Sequence, residues 1–154
     1  MSERRQYIHD TLNLNPGKVV SLVGLIHDQL GSEVDQGRMD KLIYFIDSEA
    51  YLELGTPITG ACYRRAENGP VPTDDLLAVS DRASDLASDE LDVAMRVLRK
   101  YRELSAQDLS ILSHHEHGWQ CAADGEIIPY ETYWLRPLSP SEEEHREFES
   151  LLVD

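Results

Sequence analysis

Residues 113–121 read SHHEHGWQC, three histidines, a glutamate and a cysteine within nine positions. Imidazole nitrogen and thiolate are good zinc ligands, and on a continuous helix His114, His117 and Cys121 would share a face at i, i+3 and i+7. A zinc-dependent hydrolase using the His114–Cys121 cluster is therefore one reading of the chain. The spacing opposes it. In the zinc-protease pattern H-E-x-x-H the second histidine follows the glutamate by three residues, and after Glu116 that place is held by Trp119. Gly118 weakens a helix through the cluster, and no Cys/His pair elsewhere offers a fourth ligand at a recognisable spacing. No phosphate-cradling GxGxxG or GxxxxGK loop and no GxSxG elbow occurs either. Carboxylates are plentiful, but only a fold can bring two of them together for acid–base work. The chain is expected to hold no metal or cofactor, to have no catalytic residue and to be no enzyme.

Composition narrows the partners. Lys and Arg number 14 against 29 Asp and Glu, a formal charge of −15. Such a charge repels phosphate backbones and anionic lipid, so no nucleic acid and no membrane is expected, and a basic protein is the better partner. The longest apolar stretch, VVSLVGLI at 19–26, falls far short of the ~20 residues a membrane span needs. The opening MSERRQYIHD has no apolar run behind its arginines, so no secretion signal is expected. Cys62 and Cys121 form no CxxC pair, which suits a reducing cytoplasm. At 154 residues the chain is expected to form a single domain over 1–154.

The elements that would position these residues are mostly helices. Asn15 can cap a helix that begins at Pro16, carries Val19, Leu22, Val23, Ile26 and Leu30 on one face, and stops at Gly31. A second runs from about Gln36 to Leu54. Met39, Leu42, Ile43, Ile46 and Ala50 make its stripe, and Tyr44, Phe45 and Tyr51 widen it, the mark of a central helix. Gly55 and Pro57 stop it. The stretch 56–75 is punctuated by Gly60, Asn68, Gly69, Pro70 and Pro72, with ACYRRA a short strand between them. Thr73 is then expected to cap a helix through DDLLAVSDRA. From Ser88 to about Arg102 a further helix places Leu91, Ala94, Met95 and Leu98 on one face. Its acids lie at the start, and Arg96, Arg99, Lys100 and Arg102 lie towards the end, complementing the helix dipole. Ser105 opens another helix in SAQD. Ile127 and Ile128 with PYETYW read as extended, and a last helix over about 140–152 follows the Ser139–Glu142 capping pattern, with Phe148, Leu151 and Leu152 inward. The fold class expected is mainly α, about six helices with a small β element, in one compact helical α+β architecture.

One run carries more than local structure. In KLIYFIDSEAYLELGTPITGACYRRAENGPVP, Lys41, Leu42, Tyr44 and Phe45 are followed by Gly55, Pro57, Ile58, Thr59 and Gly60, then by Tyr63 and the Gly69, Pro70, Val71, Pro72 turn. Further on, LSAQDLSILSHHEHGW supplies Leu104, Ser105, Leu109, Leu112, Ser113, His114, Glu116 and Trp119. In order and separation these blocks resemble the Panacea family, the SocA-like or GepA-like antitoxin domain, over about residues 36–130. Two departures stand out: Glu67 where the family often has a basic residue, and a short stretch between Pro72 and Leu104.

The resemblance implies an antitoxin-like module of a bacterial or phage toxin–antitoxin locus that neutralises a cognate toxin by direct contact. One branch of the family implies an alternative, a proteolysis adaptor that delivers its toxin to an ATP-dependent protease. It also makes His114 and Trp119 part of a recurring feature that is not a metal site, with His115 and His117 incidental. A local role suits that pair: imidazole and indole locking the loop against the GPVP turn, unless Trp119 is only a core anchor. Lys41, Tyr44, Gly55, Pro57, Gly60 and Glu116 are the remaining motif positions. The partner surface expected is Tyr63, Arg64, Arg65, Asn68 and the Gly69, Pro70, Val71, Pro72 turn. A turn braced by two prolines loses little entropy on docking, and Tyr and Arg are enriched among interface hot spots. The competing account is that these residues only shape the turn. Oligomeric state is not specified by the sequence.

Overall fold

Ten consecutive residues of one helix, Met39 to Ser48, are buried, and the rest of the fold wraps them. In the computed structural model, which describes residues 14–138, this helix is α2 (Gln36–Leu54). Asp35 caps it by accepting from the Arg38 amide at 2.8 Å, and Gly55 ends it with a left-handed φ of 83°. It follows α1 (Pro16–Leu30), where the Asn15 side chain accepts from the Lys18 amide at 3.1 Å and Gly31 closes the last turn. Local capping chemistry thus bounds both helices, and the Gly31–Asp35 link between them buries Val34 in the core.

Around α2 lie α3 (Ser88–Tyr101), α4 (Ala106–His114) and the short α5 (His117–Cys121). A three-stranded antiparallel sheet in the order β2-β1-β3 closes one end, from β1 (Tyr63–Ala66), β2 (Gly69–Pro72) and β3 (Ile127–Ile128). Tyr63 pairs with Pro72 on one side and Ile128 on the other. Two 3-10 helices, Leu76–Ala78 and Tyr130–Leu138, complete the described residues. The architecture is mainly helical with a small antiparallel sheet. The helix expected over 140–152, with its Ser139 cap, lies outside the described residues. Among those residues no helix is long and apolar enough to cross a membrane.

Three expectations are corrected. Thr73 caps no helix: DDLLAVSDRA yields only the 3-10 turn Leu76–Ala78, where Leu76 is buried but Leu77 is exposed. The chain instead runs on across α1, the Ser84 amide donating to the Gly17 carbonyl at 3.1 Å and the Ser21 hydroxyl to the Ser84 carbonyl. Backbone groups satisfied by a neighbouring helix have no need of a ladder of their own. The buried stripe of α3 is Glu90, Val93, Ala94, Val97 and Leu98, while Leu91 is 40% exposed and Met95 half-buried. The valines at i, i+4 rotate the face away from Leu91. Glu90 is tolerated inside because its carboxylate accepts from the Ala87 amide at 2.9 Å and from Lys18 Nζ at 2.8 Å. Finally, PYETYW is extended only as far as its preceding isoleucines. The Pro129 carbonyl accepts from the Thr132 amide at 3.1 Å, and the resulting turn packs Tyr130 and Tyr133 against the core.

Gly24 sits exposed in the middle of α1, and an added Cβ would meet nothing within 4 Å. Gly24→Ala is expected to stabilise the protein by about 0.5–1 kcal/mol in urea unfolding, because alanine loses less backbone entropy in a helix. A loss of stability would contradict the placement of this residue.

Candidate partner interface

Asp47, in the middle of α2, is completely buried, and four donors converge on it. Its Oδ1 accepts from the amides of Ile58 and Thr59, each at 2.9 Å. Its Oδ2 accepts from the Thr59 hydroxyl at 2.5 Å and the Tyr63 hydroxyl at 2.7 Å. An unpaired carboxylate in this place would cost several kcal/mol, so the loop must fold onto the helix for the helix to stay inside. Burial nevertheless pushes the Asp47 carboxyl above its usual range, against the pull of Thr59, Tyr63 and Ile58. The same carboxylate fixes the first residue of β1. Tyr63 is buried edge-on against Tyr44, ring centres 5.2 Å apart, and burial with the nearby Asp47 charge raises its hydroxyl. The Thr59 carbonyl in turn accepts from the Asn15 amide at 2.7 Å, joining α1 to the same knot.

Beyond Tyr63 the β1–β2 turn is held from the other side. Three successive carbonyls of the turn each accept from a different side chain. Trp119 Nε1 donates to Ala66 O at 3.0 Å, His114 Nε2 to Glu67 O at 3.0 Å, and the Ser110 hydroxyl to Asn68 O at 2.6 Å. The imidazole and indole stack at 4.3 Å, and the Arg65 guanidinium lies 3.9 Å over the indole. Arg65 also donates to the carbonyls of Trp119 (3.0 Å), Gln120 (3.3 Å) and Ala122 (2.8 Å), closing the C-terminal end of α5. Imidazole and indole thus each bond a carbonyl of the turn, and Trp119 is half-buried.

The metal geometry does not form. Helix α4 ends at His114 and α5 starts at His117, so His114, His117 and Cys121 share no helical face. Among the described residues no group of three or more His, Cys, Asp or Glu side chains is placed to hold a metal ion.

Beneath the turn, Gly69 has a φ of 120°, and the buried Ser113 side chain stands where its Cβ would be. Lys41 Cε lies 3.8 Å from the same point. Lys41 and Glu116 are both buried: Lys41 Nζ donates to the Gly37 carbonyl at 3.4 Å, and Glu116 accepts from the Tyr44 hydroxyl at 3.5 Å. Burial lowers the Lys41 ammonium from its usual value. Of the motif positions, Lys41 thus lies beside Gly69 and Ser113 under the turn, and Tyr44 meets Glu116.

The residues of the expected partner surface divide between buried and exposed positions. Tyr63, Gly69, Pro70 and Pro72 are buried, turned inward or under the turn. Arg65 is half-buried and committed to α5. Arg64 and Asn68 are exposed, and Arg64 stands opposite Val71 on one strand and Ile127 on the other, both half-buried. This outer row, with Asn68 at the turn, is what remains accessible. Asp47 and Ser110 escaped the sequence reading. An acid in the middle of an apolar stripe was the available signal for the first, and nothing marked the second.

A model of the family described as antitoxin SocA-like, Panacea domain, matches residues 39–120, more than half of the chain. The chain belongs to this family. No curated protein and no solved structure matches significantly. The Panacea match contains Asp47, the whole β1–β2 hairpin and all three donors to its turn.

Gly69→Ala adds strain at a left-handed φ and a clash with Ser113, and is expected to cost roughly 2 kcal/mol or more in urea unfolding. Unchanged stability would contradict the packing under the turn.

Proposed function

We propose that this chain is the antitoxin of a toxin–antitoxin pair and neutralises its cognate toxin by direct, non-enzymatic contact in the cytoplasm. Membership of the SocA-like antitoxin family carries the reading. The geometry supports a particular surface: the outer row of Arg64 and Val71 together with Asn68. A turn whose three carbonyls are already bonded loses little conformational freedom on docking, so contacts made there go into affinity. Arg64 supplies a long cationic side chain of the kind enriched at interface hot spots. The acidic remainder of the chain opposes binding to operator DNA.

Co-expression with a toxin gene encoded beside this one tests the proposal. The wild-type chain should relieve growth arrest and co-purify with the toxin, whereas Arg64→Ala/Asn68→Ala, folded, should bind about tenfold or more weakly. No relief by the wild type overturns the antitoxin reading. Full relief and unchanged affinity in the double variant overturn the surface. Toxin that disappears only when an ATP-dependent protease is present replaces neutralisation by the adaptor mechanism.

A further inference from the structure

Helix α3 packs Val93, Ala94, Val97 and Leu98 against the core and turns its opposite side to solvent. At 3.6 residues per turn, the positions opposite that buried stripe are Ser88, Asp92, Met95 and Arg99, with Leu91 and Arg102 along one flank. Ser88, Asp92, Arg99 and Arg102 are exposed, Leu91 is 40% exposed and Met95 is half-buried. Along the helix this face therefore carries a leucine and an acid before Met95 and two arginines after it. Arg96, one row over, is committed to α2: its Nη2 donates to Glu53 Oε2 at 2.8 Å and its Nη1 to Oε1. Asp92, Arg99 and Arg102 join no ion pair among the described residues. The helix dipole accounts for the acids of the first turn and for Arg99 and Lys100 in the last. It gives no reason for Asp92 beyond the first turn, or for Leu91 and Met95 beside it.

We propose that this face of α3 docks against the same face of a second copy of the chain, the two helices antiparallel about a twofold axis at Met95. The spacing sets the register. Leu91 and Arg99 each stand four residues from Met95, ~6 Å along the axis, and Ser88 and Arg102 each stand seven. A twofold at Met95 therefore sets Leu91 beside the partner's Arg99 and Ser88 beside the partner's Arg102. Asp92 falls within one residue of the partner's Arg99, so its carboxylate meets that guanidinium while the aliphatic stem of the arginine covers Leu91. Met95 meets its own copy at the axis, where an unbranched thioether adapts to the fit. Every contact is made twice. A parallel pair would instead set Arg99 on Arg99 and Asp92 on Asp92, which repel.

Two chains of charge −15 repel each other at long range. That repulsion is screened beyond ~8 Å at ~0.15 M salt, whereas the paired charges on α3 approach closely. A helix of 14 residues is ~21 Å long, and one face of it offers less than the ~800 Å² per partner of a standard stable interface. The pair is therefore weak and reversible, with a Kd on the order of tens of micromolar. It shares no residue with the outer row of the hairpin and stands or falls independently of the antitoxin reading.

Sedimentation velocity of the full chain, from about 5 to about 500 μM in ~0.15 M salt, tests the pair with Asp92→Arg and Arg99→Asp as variants. Both positions are exposed, so the fold is kept, and circular dichroism checks this. The wild type should pass reversibly from monomer to dimer over this range. Either reversal alone sets like charges opposite each other twice and should weaken association about tenfold or more. An equimolar mixture of the two variants restores both opposite-charge contacts and should dimerise about as tightly as the wild type. The proposal is overturned by a wild-type chain that stays monomeric at the highest concentration, by a dimer that tolerates either reversal, or by a mixture that associates no better than its components.

Discussion

A carboxylate inside an apolar helix can stay there only if donors come to it, and in this chain that requirement organises the fold. Asp47 draws the Ile58 and Thr59 amides, the Thr59 hydroxyl and the Tyr63 hydroxyl onto the middle of α2. Those donors come from the loop after Gly55 and from the first residue of β1, so satisfying one acid fixes where the sheet begins. A hydrophobic contact would hold the same surfaces together without fixing their register, whereas four directional bonds allow few alternatives. The aromatic rings packed around the knot, Tyr44 against Tyr63 and Tyr133, keep water away from it and so strengthen it.

The hairpin is then held at both ends. Tyr63 ties its start to α2, and Trp119, His114 and Ser110 tie its turn to α4 and α5. Between the two attachments Tyr63, Pro70 and Pro72 of the inner row are buried, while in the outer row Arg64 is exposed and Val71 and Ile127 are half-buried. Motif residues that read as a binding surface in one dimension are thus mostly framework of the hairpin. The prolines, Gly69 and Tyr63 are buried in it, and Arg64 and Asn68 are exposed.

Much of this was legible because it is local. Asn15, Pro16, Gly31 and Gly55 bound α1 and α2 through capping chemistry that needs no tertiary context. The short strand in ACYRRA followed from the glycines and prolines around it. The long-range parts were not legible. Asp47 meets Ile58 and Thr59 only once the loop has folded back, and Ser110 meets Asn68 only once α4 lies beside the turn. Thr73 and the acids after it read as a helix start, but the backbone beyond them is satisfied by α1 instead. Val93 and Val97 outweighed Leu91 in orienting α3, since packing against α2 favours the residues that reach it. His114, His117 and Cys121 suggested metal chemistry by type and helical spacing. The break between α4 and α5 takes them off a common face, and His114 Nε2 serves a main-chain carbonyl of the turn instead.

The central claim is that the Asp47 carboxylate, by accepting four hydrogen bonds, holds the loop and hairpin in place. Native-state hydrogen exchange on Asp47→Leu tests it most directly, because leucine keeps the branched shape and removes every acceptor. The amides of Ile58, Thr59 and the β1–β2 hairpin should lose protection together, by an opening free energy lowered by roughly 2 kcal/mol or more, while α1 keeps a slower exchange. Protection of the loop and hairpin equal to that of the wild type would contradict the account.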